Sequence, residues 1–334
     1  MASKQTPLSV QIIRRIISHK LNYTNTIKSN PVAASMLKIL KFAAIDIGSN
    51  AIRLLFMNVI EENNTPLFKK SSLVRVPVRL GEDAFVRGEI SPEKVEKIKK
   101  TMLAFKNLME VHDVVAYRAC ATSAMREASN GPLVVQQVKE FSGVDIEIID
   151  GKQEAEIIYS NQIVELINDD KHYLYVDVGG GSTEITLFSN GKLVKSKSFN
   201  VGTIRLLNKK VGEEEFKEIK KWLKQFKANS REVVIIGSGG NINKIIKLSG
   251  KKDKQQLVFE ELAEMDKLIN RYSVDERISI MGLNPDRADV IVPASSIFMR
   301  IMKWSGANRI LIPTIGVSDG IVHQLYHTHK GSKQ

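Results

Sequence analysis

From Phe42 onward, short alternating apolar runs are interleaved with stretches whose apolar positions recur every three or four residues. Residues 42–47 and 51–59 read as a hairpin, and 69–79 as a third alternating strand that Arg79-Leu-Gly-Glu82 closes with a glycine turn. Ser91-Pro-Glu-Lys94 opens a helix, with Ser as cap, Pro in the first turn and an acid behind it. Val95, Ile98, Met102, Phe105 and Leu108 or Met109 give that helix one apolar stripe, running to about Val111. Residues 113–121 are the next strand, entering a loop at 122–128 that opens a helix. A short helix over 131–141, a strand over 144–149 and a helix from Gly151 to about Asn168 follow.

The same order then returns. Strands at 173–178, 183–188 and 192–199 surround a glycine-rich turn and the hairpin pair Asn190-Gly191. A helix begins at 201–205 and another covers 213–226; a strand at 232–236 runs into Gly237-Ser-Gly-Gly-Asn-Ile-Asn243. Helices at 259–271, 274–281 and 287–304, a strand at 309–312 and a terminal helix complete the chain. Three strands, a helix, a strand and a helix thus occur twice, which predicts an α/β fold of two similar domains facing one cleft. The expected boundaries are 42–152 and 153–316, with the terminal helix, 317–328, packing on the first domain.

Two strands each deliver an aspartate into a turn of small residues, Asp46-Ile-Gly-Ser-Asn50 and Asp177-Val-Gly-Gly-Gly-Ser-Thr-Glu184. Glycines let backbone N–H groups approach an anion closely, and the hydroxyls add donors. An aspartate at the strand end supplies a hard oxygen ligand for a divalent cation among phosphate oxygens. Phosphate chemistry between two lobes is the reading these turns support.

Composition narrows this only slightly. The chain has 334 residues, 43% of them hydrophobic, and no apolar run reaches the roughly 18–20 residues a spanning helix needs. The single cysteine, Cys120, excludes an internal disulfide and lies in an apolar run, so a buried core thiol in a reducing cytoplasm is expected. Of the net charge of +12, residues 1–41 contribute seven charges, because they contain seven Lys or Arg and no acid. The remaining excess suits a polyanionic substrate, but no aromatic-interleaved basic stripe accompanies it, so neither a nucleic acid nor a membrane is expected as partner. Residues 1–41 read as an extension. Its basic, acid-free composition fits a targeting-type presequence, and translation starting at Met36 is the alternative.

Seven segments in order carry a resemblance: Asp46-Ile-Gly-Ser-Asn50, Arg79-Leu-Gly-Glu82, Ala121-Thr-Ser-Ala-Met-Arg-Glu127, Gly151-Lys-Gln-Glu-Ala155, Asp177-Val-Gly-Gly-Gly-Ser-Thr-Glu184, Gly237-Ser-Gly-Gly-Asn241 and Gly316-Val-Ser-Asp-Gly320. Over about residues 42–327 the chain resembles the exopolyphosphatase/guanosine pentaphosphate phosphatase (Ppx/GppA) family, in its short two-domain form. The resemblance implies two ribonuclease-H-like domains of the actin-like ATPase superfamily, with phosphate in the interdomain cleft. It also implies Mg2+-dependent release (Mn2+ as substitute) of terminal orthophosphate from inorganic polyphosphate. The alternatives it leaves open are guanosine pentaphosphate hydrolysis, tied to the stringent response, or non-catalytic sensing of polyphosphate or of guanosine penta- or tetraphosphate. A homodimer is compatible with the family.

Residue by residue, Glu154 matches the family's general base. Asp177 is the expected metal-directing carboxylate, with Glu184 and Asp46 assisting. Gly48, Ser49 and Asn50 are expected to hold one phosphate, and Gly179, Gly180, Gly181, Ser182 and Thr183 another. Gly239 and Gly240 open a helix whose positive N-terminus suits a third contact. Ser123 and Arg126 complete the expected phosphate ligands, the latter matching a family arginine with a planar fork suited to phosphate. His323, His327 and His329 are expected to be exposed tail residues, and the Lys pairs at 209–210 and 220–221 and the run 251–254 to be solvated faces.

Overall fold

A computed structural model describes residues 37–331, apart from 63–64, 161–166, 168–170, 227–230, 252–254 and 314. The extension up to residue 36, the far end of the helix expected to reach Asn168 and most of the run 251–254 lie outside the described residues.

The first domain comprises β1 (Lys38–Ile47), β2 (Ala51–Glu62), β3 (Thr65–Pro77), α1 (Leu80–Arg87), α2 (Pro92–Val111), β4 (Ala116–Ala121), α3 (Ser123–Glu127), α4 (Gly131–Ser142) and β5 (Ile146–Ile148). Helix α5 (Gly151–Tyr159) follows. The second contains β6 (His172–Val178), β7 (Thr183–Ser189), β8 (Lys192–Phe199), α6 (Thr203–Leu207), α7 (Glu213–Lys224), β9 (Val233–Ser238) and α8 (Gly240–Leu248). It continues through β10 (Gln256–Val258), α9 (Phe259–Asn270), α10 (Val274–Ser279), α11 (Pro285–Ala288), α12 (Ile291–Ser305) and β11 (Arg309–Leu311). Helix α13 (Val317–Gly331) ends the described chain.

The two sheets have the same plan. Strand order is β3-β2-β1-β4-β5 in one and β10-β11-β9-β6-β7-β8 in the other. In each, an antiparallel three-strand meander is joined to parallel strands at its first member, β1 to β4 and β6 to β9. This is the ribonuclease-H-like order, duplicated as in actin-like ATPases.

Strand alternation decides which way the functional side chains point. Ala43, Ile45 and Ile47 of β1 enter an apolar cluster with α1, α2 and α4, whereas Phe42 and Ala44 enter a cluster between the two sheets. In β6, Leu174, Val176 and Val178 face the second domain's own core, and Tyr173 and Tyr175 face the inter-sheet layer. Because side chains alternate with period two, Asp46 and Asp177 fall on the inter-sheet side at the ends of their strands. Helices α5 and α13 fill that layer through Ile157, Ile158, Val317, Ile321, Val322 and Tyr326.

Three expectations need correction. Arg79–Glu82 is no turn: Arg79 takes a left-handed conformation (φ 55°, ψ 47°) and caps helix α1. The helix expected over 287–304 breaks into α11 and α12 between Ala288 and Ile291. His327 is exposed as expected, but His323 and His329 are not, since α13 packs against the first sheet. His323 is 7% exposed and stacks on Phe68 at 3.7 Å between ring centroids, and His329 meets Phe42 edge-on. The apolar face of α13 (Ile321, Val322, Tyr326) carries His323 into the interior with it. Cys120 is fully buried, as expected, and burial pushes its thiol up to about 12.

Candidate active site

A cavity of about 500 Å3 lies between the domains. Its lining includes the expected Asp46, Gly48, Ser49, Asn50, Ser123, Glu154, Asp177, Gly179, Gly180, Ser182, Glu184, Gly239 and Gly240. Gly181, Thr183 and Arg126 are not among the lining residues. The Gly181 carbonyl accepts from Arg205 Nε at 2.7 Å, and a Cβ there would sit 2.1 Å from the Phe85 ring. Thr183 is fully buried and donates to the carbonyl of Val201. Arg126 donates to the Ile149 carbonyl at 2.8 Å, which fixes its charge at the entrance to α5, behind the acids.

The two phosphate-type turns are built alike. Gly48 N–H donates to Ala51 O at 3.1 Å, and Gly179 N–H to Ser182 O at 3.0 Å. Ser49 Oγ lies 2.9 Å from Ser123 Oγ, tying the turn after β1 to the start of α3. The glycine-rich turn rests on α6, whose Thr203 and Ile204 N–H groups donate to Gly179 O and Gly180 O. The third loop requires its glycine: Gly239 has φ +108°, and a Cβ there would come within 3.2 Å of both Asp177 Oδ1 and Val178 O. Ser238 Oγ, just before it, donates to Asp177 Oδ2 at 3.1 Å.

Glu154 sits in the first turns of α5, whose start is sharply specified. Asp150 accepts from Lys152 N and Gln153 N, and Gln153 Oε1 accepts from Asp150 N, a full capping box. Glu154 is only 6% exposed. Burial pushes its carboxyl well up, and the neighbouring Glu184, Asp177 and Asp46 push it further, while Arg126 opposes them. Glu184 is raised to about 7, chiefly by burial and by Asp177, against hydrogen bonds from Ser182 and Ser198. Burial likewise raises Asp177 to about 6, with Arg53 and Ser238 opposing. Crowded buried carboxylates of this kind lack positive charge.

Register explains how the acids are arrayed. Across β1, β2 and β3 one row pairs Asp46 with Arg53 and Arg53 with Arg75; across β6, β7 and β8 the equivalent row pairs Asp177 with Glu184 and Glu184 with Ser198. The first row is basic beyond its aspartate, the second acidic. Arg75, Arg287, Lys70 and Ser238 also line the cavity and were not anticipated. Arg75 was legible, since it lies on an alternating strand and shares a face with Arg53 once the register is known. Arg287 was not, because a long helix was expected there.

The donor set fits a hard cation. It offers carboxylate and hydroxyl oxygens, and the raised carboxyls are those an added positive charge would relieve. Among the described residues no three His, Cys, Asp or Glu side chains cluster as a complete metal cage. Two neighbouring carboxylates such as Asp177 and Glu184 are the share Mg2+ usually takes from protein, water and phosphate oxygens completing its shell. No helix among the described residues is long and apolar enough to cross a membrane.

The family model described as "Ppx/GppA phosphatase family" matches residues 60–329. The chain is 27% identical over 300 residues to a bifunctional 3-dehydroquinate synthase/phosphatase of Fusobacterium nucleatum, covering 81% of this chain and 44% of that protein. It is 31% identical over 176 residues to exopolyphosphatase 2 of Mycobacterium tuberculosis, covering 51% of this chain and 54% of the relative. The chain thus spans about half the length of the curated relatives it matches. Among solved structures, a Ppx/GppA family member from Aquifex aeolicus aligns at 22% identity over 87% of this chain and 99% of its own, with a TM-score of 0.69. An exopolyphosphatase from Cytophaga hutchinsonii aligns at 22% identity over 86% and 98%, with a TM-score of 0.74. With the duplicated fold, the glycine loops and the buried glutamate on one cleft, these matches assign the chain to the Ppx/GppA phosphatase family.

Proposed function

We propose that the protein is an exopolyphosphatase of the cytoplasm: a Mg2+-dependent phosphoric anhydride hydrolase that removes terminal orthophosphate from inorganic polyphosphate. The observation that carries this reading is the position of Glu154, buried at a helix start and facing glycine loops from both domains. A pure binder has no need of a buried carboxylate there.

In this account the terminal phosphoryl group lies against the backbone N–H groups of Ser49, Asn50, Gly180 and Ser182, with the hydrogen-bonded Ser49–Ser123 hydroxyl pair beside them. Preorganised donors of this kind stabilise charge that develops on the equatorial oxygens. Glu154 orients a water and takes its proton as the water oxygen bonds to phosphorus. The bridging P–O bond breaks, and its electron pair leaves with the shortened chain. Asp177 and Glu184 would hold Mg2+, which when bound neutralises phosphate charge. Asp46, already paired with Arg53 at 2.7 Å, assists from farther out. Arg126 draws the Glu154 carboxyl towards the ionised form a base requires. Arg53, Arg75 and Arg287 supply positive charge for the phosphates beyond the scissile bond.

The test is orthophosphate release by purified protein from long-chain polyphosphate and, in parallel, from guanosine pentaphosphate. Faster release from polyphosphate is the expected result. Preference for the nucleotide would move the protein to the guanosine pentaphosphate phosphatases, and binding without release from either would make it a sensor.

A further inference from the structure

The domains also touch along the front rim of the cleft, around the helix the sequence concealed. Leu80, Ala84 and Phe85 of α1 share an apolar cluster with Ile204 and Val290 of the second domain. Beside that contact, charged pairs cross between the domains. Arg75 pairs with Asp286, and Asn50 Nδ2 donates to the Asp286 carbonyl at 2.8 Å. Arg79 binds Asp289 with both ends of its fork, Nη2 to Oδ2 at 2.7 Å and Nη1 to Oδ1 at 3.2 Å.

Arg79 is held on every side. Its left-handed backbone is a conformation that a long L side chain rarely adopts, and such residues persist where surroundings over-determine them. Its N–H donates to Asn50 O at 3.0 Å, its carbonyl accepts from Lys94 Nζ at 2.6 Å, and its Nε donates to Glu82 Oε1 at 2.5 Å. Arg79 itself is not among the cavity-lining residues. What it grips is one end of the short segment Asp286-Arg287-Ala288-Asp289, whose other end Arg75 and Asn50 grip.

Arg287, between those anchors, does line the cavity. A Cβ on Gly240 would lie 2.9 Å from its Nη2, so the guanidinium lies against the N-terminus of α8. Among the described residues its guanidinium makes no hydrogen bond or ion pair. Burial, with Arg75 and Arg53 nearby, depresses it to about 10. Like charges and a positive helix end push Arg287 away, and the bridged aspartates on either side oppose that push.

We propose that Arg79 and Asp289 form a cross-domain clasp that holds Arg287 in the cleft for the phosphate chain. This rests on the phosphate-cleft reading above. Arg79 and Asp289 are positioning residues and touch no substrate; their role is to keep the 286–289 segment seated while Arg287 is unneutralised.

The test measures tripolyphosphate binding by calorimetry with Mg2+ in a Glu154→Gln background, which prevents turnover, for Arg79→Gln, Asp289→Asn and the double variant. Each single change should weaken binding about tenfold and the double change no more than either alone, the signature of one shared interaction. Asp289→Glu, which keeps the charge, should restore most of the affinity, and in otherwise wild-type protein the same changes should raise KM more than they lower kcat. Parental affinity in the single variants, or losses that multiply to about a hundredfold in the double variant, would overturn the clasp. Should Arg79→Gln fail to fold, the isosteric Asp289→Asn with its Asp289→Glu rescue decides alone. Absence of hydrolysis by the wild-type protein would defeat the proposed function, yet the tripolyphosphate pattern would still decide the clasp.

Discussion

Arg53 Nη1 lies 2.7 Å from Asp46 Oδ2, and the two are cross-strand partners in β1 and β2. At the equivalent place in the second domain, Asp177 is partnered by Glu184. One duplicated register therefore presents an internally neutralised aspartate on one side of the cleft and two acids on the other. A divalent cation should favour the side whose charges lack a partner.

It follows that Asp177→Asn and Glu184→Gln should each weaken apparent Mg2+ affinity by about tenfold or more, because two carboxylates are the most that Mg2+ usually takes from protein. Asp46→Asn should change it by less than about threefold, since Arg53 already satisfies that carboxylate. Titrating phosphate release against Mg2+ checks this. An Asp46→Asn effect as large as that of Asp177→Asn would locate the cation on the wrong row.

The same crowding predicts a pH-dependent stability. Asp177 and Glu184 are raised from 3.8 and 4.5 to about 6 and about 7. A raised carboxyl means the folded protein binds more protons than the unfolded chain between those values. Its stabilising contribution is fully present below about pH 4 and is lost as pH rises through 6 to 7. Without divalent cations, thermal stability should thus fall from about pH 5 to pH 8, by an amount on the order of 4 kcal/mol. Mg2+ should flatten the profile, and Asp177→Asn should raise stability at pH 8. A cation-free melting temperature that stays level or rises over this range contradicts the assignment.

Glycine positions around the second turn test its packing. A Cβ on Gly202 would sit 2.3 Å from Gly180 O, a backbone atom that cannot move without displacing the turn. Gly202→Ala should therefore cost about 2–3 kcal/mol and impair turnover. At Gly181 the obstacle is the Phe85 side chain, so Gly181→Ala should be partly rescued by Phe85→Leu. Melting temperatures of the two single variants and of the Gly181→Ala/Phe85→Leu pair decide it.

Periodicity and turn residues were enough to read the duplicated strands, because each delivers its Asp through strict alternation into a small-residue turn. Helix α1 was hidden for a physical reason: its cap is an arginine in a left-handed conformation, which no propensity favours, and tertiary contacts to Asp289 and Lys94 hold it there. The break before α12 was hidden likewise, since apolar spacing runs on through Ala288 and Val290 while Asp289 turns aside to meet Arg79. Of the site, the acids and glycines announced themselves by motif. Arg287 did not, because a cation on a helix reads as solvated until the opposite domain is in place, and Arg75 could be read only through its strand alternation and the register with Arg53. Gly181 and Thr183 belong to the glycine-rich motif, but their contacts are to Phe85, Arg205 and Val201 and not to the cavity.

The most direct measurement is single-turnover phosphate release from polyphosphate, with Mg2+, by wild-type protein and Glu154→Gln, alongside tripolyphosphate affinity for both. The account predicts a loss of about 100-fold or more in the rate, in the range expected for removing a general base, with affinity changed by less than about threefold. A variant that releases phosphate at the wild-type rate would show that Glu154 is not the base, and the proposed mechanism would fall with it.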